Sequence, residues 1–147
     1  MVGVPGSGKS TWLEHLKNTP GVSIVSRDQI RFSIIKEGDE YFSKEKEVFK
    51  KYCAEIQEKI DSEVKNIYCD ATHINEKSRE KLLGNLRLEG YKVNAVVLNQ
   101  NLKTCFVQNA KRDGIQRVPE SAIKRMWFGF RHPSTDSRKY DFIIDVF

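Results

Sequence analysis

The chain has 147 residues, 39% hydrophobic and 31% charged, which is one domain's worth of length and too apolar for a disordered tract. No apolar run approaches the roughly 20 residues of a membrane-crossing helix, so a membrane is excluded as partner. Charge is uneven: residues 1–101 hold 16 basic and 15 acidic groups, residues 102–147 hold 9 and 5, and the basic last third suits a polyanionic ligand such as a nucleotide or nucleic acid.

In chain order, the first signal is Gly3-Val4-Pro5-Gly6-Ser7-Gly8-Lys9-Ser10-Thr11, which satisfies G-x-x-x-x-G-K-[ST]. Glycines let a backbone turn with positive φ and bring its N–H groups close to an oxygen cluster. Gly3, Pro5, Gly6, Ser7 and Gly8 are therefore read as a phosphate cradle, continued by the start of a helix near Ser10. Lys9 is expected to neutralise the β/γ-phosphates of ATP, Ser10 to ligate Mg²⁺, and Thr11 to reach the α-phosphate. Only Met1 and Val2 precede this loop, where such loops follow a buried strand, so the expectation is that the first strand is cut short.

Trp12, Leu13 and Leu16 continue an amphipathic helix, and Val22–Ser26 reads as the next strand. At its end stands Arg27-Asp28-Gln29-Ile30-Arg31. Ligands of open parallel sheets sit beyond the carboxyl ends of the strands, which puts Asp28 on the functional rim, where a carboxylate can take a proton from an attacking hydroxyl. Arg31, three residues on, shares its helical face and suits a substrate phosphate. The plainer reading makes Asp28 a helix cap, with Arg27 and Arg31 in solvent.

Phe49, Tyr52, Ile56, Ile60 and Val64 mark one stripe of a helix from about Ser43 to Lys65. Ile67-Tyr68-Cys69-Asp70 is a strand ending in a carboxylate, the arrangement that orients Mg²⁺ in phosphoryl-transfer folds. Thr72, His73 and Asn75 follow on the same rim, His73 as a local hydrogen-bonding group and Asn75 as the cap of a helix through Leu82, Leu83 and Leu86. After the strand Val93–Leu98, residues Leu102 to Arg112 form a helix ending at Asp113-Gly114. Lys111, Arg112 and Arg117 cluster on the short connection that follows, as on a mobile lid that neutralises charge and excludes water during transfer. Ordinary surface cations near a helix C-terminus are the plainer alternative. Pro119 opens a helix with Ile123, Met126, Trp127 and Phe130 on its buried face, and Phe142–Phe147 is the last strand.

The strands are mostly continuous apolar runs, as in parallel sheets covered on both faces, and they alternate with helices. The fold class expected is α/β, a P-loop NTPase-type three-layer sandwich with a mostly parallel sheet flanked by helices and a short helical lid over about 102–118. Residues 1–147 form a single domain by this reading. The three cysteines, Cys53, Cys69 and Cys105, are far apart and odd in number. With no basic-then-apolar start, they favour a reducing, cytoplasmic setting.

Taken together, the glycine loop, Arg27-Asp28-Gln29-Ile30-Arg31, Asp70 with Thr72, and Lys111-Arg112 with Val118-Pro119 before a helix resemble the kinase domain of the phage polynucleotide kinases, from Gly3 to about Phe130. The resemblance implies ATP-dependent transfer of the γ-phosphoryl group to a 5′-hydroxyl end of DNA or RNA. By position it makes Lys9 and Ser10 the phosphate and metal contacts, Asp28 the general base, Arg31 the contact to the acceptor's phosphate and Arg112 the lid arginine; Arg117 and Thr72 join the nucleotide and acceptor contacts. Gln108 departs from the pattern, standing one helical turn before Arg112 where the family often places a second arginine. The rivals are a P-loop kinase of a small metabolite, nucleoside or nucleotide sugar, and a nucleotide-binding switch. A homo-oligomer is left open.

Overall fold

The computed structural model describes residues 1–146. The glycine loop leads into α1 (Lys9–Glu14), then β1 (Val22–Ser26), α2 (Arg27–Ile34), α3 (Glu45–Asp61), β2 (Asn66–Asp70) and α4 (Glu76–Leu83). The second half runs β3 (Asn94–Leu98), α5 (Leu102–Ala110), a 3-10 turn at Gly114–Gln116, α6 (Glu120–Phe128), a second at Pro133–Thr135, and β4 (Phe142–Val146).

β1 pairs β2 in parallel, Val22 opposite Asn66 through Ser26 opposite Asp70. β3 pairs β4 in parallel, Asn94 opposite Phe142 through Leu98 opposite Val146. Met1–Gly3 joins these two pairs from the middle. On one side Met1 N donates to Cys69 O at 3.0 Å and Gly3 N to Thr72 O at 2.9 Å; on the other Val2 N donates to Val96 O at 2.7 Å and Leu98 N to Val2 O at 2.8 Å. The spatial order is β1, β2, Met1–Gly3, β3, β4, so the glycine loop leaves from the centre of a parallel sheet. A cavity of about 270 Å³ lies beside Met1, lined by Met1, Ile67, Cys69, Ala95 and Val96 among others.

Side chains alternate across this sheet as the two-residue period requires. Ile24, Tyr68, Val96 and Leu98 pack on one face with Trp12 and Leu13 of α1. Val25 and Cys69 face the other way, against Tyr52, Ile56 and Ile60 of α3. Helices thus cover both faces, the three-layer arrangement that the alternation of strands and helices implies.

The sequence patterns differ from the fold in several places. The α3 stripe is Val48, Tyr52, Ile56 and Ile60, one position off the expected start at Phe49, whose ring instead lies under the cations of Arg27 and Lys81. Helix α1 stops at Glu14 and turns, Leu16 N donating to Leu13 O, so Leu16 packs from outside the helix. β4 is an edge strand: Phe142 is 61% and Ile144 49% exposed, whereas the apolar run suggested cover on both faces.

Local chemistry fixes the helix starts. The Asn75 side chain accepts from Ser78 N, and the Ser78 hydroxyl in turn accepts from Asn75 N, a reciprocal cap on α4. Arg79 on that helix is buried and donates through Nε and Nη2 to Asp136, and to the carbonyls of His73 and Arg131. It pins the segment before β4 to the rest of the domain.

His73 sits at φ 41°, in the left-handed region, buried with Nδ1 2.8 Å from Met1 O and Nε2 without a partner. Burial lowers its pKa from 6.5 to about 3. The unfolded chain therefore takes up a proton as pH falls below 6.5 that the folded chain refuses until about 3, and stability drops across that window. The slope from this group reaches about 1.4 kcal/mol per pH unit. Urea midpoints measured at neutral pH and again near the foot of that window will diverge in the wild type, and His73→Asn, which tolerates the same backbone, will narrow the gap.

Candidate active site

The glycine loop is held by what surrounds it. A Cβ on Gly6, at φ +82°, would meet the Cys105 carbonyl oxygen of α5 at 2.4 Å, and one on Gly3 would meet Leu98 O and Ser7 Oγ at 2.6 Å each. The loop passes so close to its neighbours that only glycine fits, and the backbone of Gly3–Ser7 is buried beneath the cleft. The Ser7 hydroxyl is buried there with no protein partner.

Lys9 opens α1. It is 8% exposed, and its ammonium donates to Val4 O at 2.9 Å. Burial pulls its pKa below the ordinary lysine range, opposed by the negative charges of Asp70 and then Asp28. Burial conversely raises Asp70, opposed by Lys9. Ser10 Oγ donates to Asp70 Oδ2 at 3.3 Å, bringing the end of β2 to the start of α1. An alcohol oxygen beside one carboxylate is a hard donor set that fits Mg²⁺, which takes one or two protein ligands and fills its shell with phosphate oxygens and water.

Across the cleft, α2 carries Arg27, Asp28 and Arg31. Its cap is Ser26, whose hydroxyl accepts from Gln29 N at 3.4 Å. Asp28 is thereby free of the capping role and faces the cleft. Arg31 is 4% exposed, contrary to a solvated cation. Its Nη1 donates to Asp28 Oδ1, its Nη2 to Glu45 Oε2 at 2.8 Å, and its plane lies 4.7 Å over the Tyr41 ring. Glu45 also accepts from Arg27 Nη2, so one carboxylate at the start of α3 holds both arginines. Tyr41 OH donates to the same Asp28 oxygen at 3.1 Å.

These groups share one cleft of about 230 Å³, lined by Pro5, Lys9, Ser10, Asp28, Arg31, Tyr41, Phe42, Glu45, Asp70, Thr72 and Arg112, with Val118 and Met126 as its apolar wall. Of the residues singled out in the sequence, Pro5, Lys9, Ser10, Asp28, Arg31, Asp70, Thr72 and Arg112 therefore converge. Gly3, Gly6, Ser7 and Gly8 shape the loop from beneath. Thr11 is exposed on α1, and Arg117 turns along its own segment toward Glu120 at 3.6 Å; neither lines the cleft.

Tyr41, Phe42, Glu45 and Asn109 escaped the sequence reading. The first three lie on or just beyond the connection between α2 and α3, where no motif marks them. Asn109 is fully buried in α5; its Nδ2 donates to Val118 O at 2.8 Å and its Oδ1 accepts from Val118 N at 3.0 Å. That double bond closes the base of the segment bearing Arg112 and Arg117.

A lysine-bearing glycine loop at the centre of a parallel sheet, with a carboxylate at the next strand's end and an acid–arginine pair opposite, defines a P-loop kinase-like nucleotide-binding domain. A family model described as AAA domain matches residues 1–133, and the chain belongs to that family. Among solved structures it is similar to a chain of the Pnkp1/Rnl/Hen1 RNA repair complex, with a TM-score of 0.73 at 23% identity. The match covers 87% of this chain and 42% of the other, so the chain spans less than half the length of that neighbour, and the likeness is one of fold.

Gly6→Ala will force the Cys105 carbonyl and the loop apart. The expected cost is about 2–4 kcal/mol in stability, from the left-handed backbone and the overlap together, with loss of ATP affinity. Thermal unfolding and a nucleotide titration on the same sample check both.

Proposed function

We propose that the domain is an ATP-dependent phosphotransferase that moves the γ-phosphoryl group to the 5′-hydroxyl end of a DNA or RNA strand. The observation that carries this reading is the Asp28–Arg31 pair facing Lys9 and Ser10 across one cleft. A switch or motor needs the glycine loop and the metal carboxylate; an acid held by an arginine on the opposite rim is what an alcohol acceptor requires.

Each residue then has a role. The glycine loop and Lys9 bind the β- and γ-phosphates. Ser10 and Asp70 would hold Mg²⁺, which neutralises the phosphate oxygens and orients them for in-line transfer. Asp28 accepts the proton of the acceptor hydroxyl as its oxygen bonds to the γ-phosphorus; the bond from that phosphorus to the bridging oxygen breaks, and ADP leaves. Arg112 approaches from the lid and balances charge on the transferring group. Arg31, fixed by Glu45, holds Asp28 in place, and its charge faces the acceptor's phosphate. Val118 and Met126 give the cleft an apolar side against which a base or sugar can pack.

The nucleic-acid acceptor draws support from the basic last third of the chain, 9 basic against 5 acidic groups over residues 102–147, and from the fold shared with a chain of an RNA repair complex. With γ-labelled ATP and Mg²⁺, label is expected on a 5′-hydroxyl oligonucleotide, and acceptor binding should weaken steeply with added salt as counterions are released. Asp28→Asn is expected to leave ATP binding near wild type and lower transfer by about 10²–10⁴-fold. Label appearing on a nucleoside or sugar alcohol and not on the oligonucleotide would replace this acceptor with a small one.

A further inference from the structure

Asp28 Oδ1 is already occupied. Tyr41 OH lies 3.1 Å from it, the separation an alcohol must reach to give up its proton to a base. Arg31 Nη1 donates to the same oxygen. Tyr41 sits on the connection between α2 and α3, which is built of turns with no regular element. Its ring is gripped edge-on by Phe32 at 6.1 Å and Phe42 at 4.7 Å, and the Arg31 plane lies over it. Burial and then the charge of Asp28 push the phenol well above its ordinary pKa, so it stays protonated and donates.

A kinase faces a chemical problem here. The base that deprotonates an alcohol will deprotonate water equally well, and water is always present. A water bonded to Asp28 and aimed at the γ-phosphorus would form the new O–P bond itself, pass its proton to Asp28 and release ADP, wasting the nucleotide. Excluding it requires either a closed lid or a group that fills the base's open position until the acceptor arrives.

Building on the reading of Asp28 as the base, we infer that the Tyr41 hydroxyl stands in for the acceptor hydroxyl in the unloaded cleft, keeping water from Asp28 Oδ1 and giving way when an alcohol acceptor binds there. Phenol and acceptor are both O–H donors to one carboxylate oxygen, so they exclude each other there. The phenol oxygen moves only with its ring, so giving way means that the Tyr41 side chain swings as a unit on the turn-built connection that carries it.

Tyr41→Phe removes that hydroxyl and keeps the ring among Phe32, Phe42 and Arg31. With Mg²⁺ and ATP but no acceptor, ADP release by this variant is expected to rise about tenfold, the worth of one hydrogen bond, and the KM for a 5′-hydroxyl oligonucleotide to fall. Adding Asp28→Asn to Tyr41→Phe should abolish the gained hydrolysis, which separates a cap on the base from a general loosening of the fold. Acceptor-free ADP release at the wild-type rate in Tyr41→Phe, from a protein whose wild type does transfer label, overturns the cap and leaves the phosphotransferase reading standing. So does label found on Tyr41 itself, since a cap must not be a substrate. A wild type that transfers to no alcohol overturns both.

Discussion

Everything in the cleft is arranged around one buried ammonium. Lys9 is nearly without solvent, and a charge taken out of water is tolerated only where opposite charge and hydrogen-bond acceptors repay the loss. Here the Val4 carbonyl accepts its hydrogen bond, and Asp70 and Asp28 supply the opposing field. The converse holds for Asp70, whose burial is offset first by Lys9. The two groups justify each other's position, and a polyphosphate with its cation completes the same balance from outside. The glycine loop, the end of β2 and the start of α2 must therefore meet at one point, and the parallel sheet is the device that brings three distant stretches of chain there.

That convergence explains which parts were legible in the sequence. Lys9, Ser10, Asp28 and Asp70 sit at fixed offsets from strand ends or glycines, and the carboxyl end of a parallel strand has a known relation to the ligand. Reading a strand was enough to place each residue. Glu45 and Tyr41 obey no such rule. They reach the cleft because α3 packs back across α2, a contact decided by Val48, Tyr52 and Ile56 filling the face beneath β1 and β2. Spacing along the chain carries no trace of that. Asn109 was hidden for a different reason: a polar residue in a helix reads as surface until a partner for both of its amide atoms is found, and that partner is the backbone of Val118.

Apolar runs were a sound guide to where strands lie and a poor guide to their cover. Val96 and Phe142–Ile144 look alike in sequence, yet the first is buried and the second is an exposed edge. Strand position in a sheet follows from crossover order, which is a property of the whole chain. The first position of the α3 stripe was misread, Phe49 in place of Val48, for a related cause. Phe49 is as apolar as Val48, but cations from α2 and α4 lie over its ring, and an aromatic face can serve as a counter-surface to charge as readily as it fills a core.

The arginines carry the same lesson into function. A cluster such as Arg27, Asp28, Arg31 and Glu45 would be worth little on a surface, where ion pairs gain a few tenths of a kcal/mol. With Arg31 buried, its guanidinium depends on Asp28 and Glu45 together for its opposite charge, and the network holds its geometry for that reason. Rigidity at this rim fixes where the Asp28 carboxylate stands in the cleft. Arg31 faces two carboxylates and an aromatic ring, so its orientation is decided before any acceptor enters. On the opposite side Arg112 stands on the segment after α5, which Asn109 ties to Val118 and Arg117 ties to Glu120. The cleft thus sets an anchored acid–arginine pair on one rim opposite Arg112 on the other.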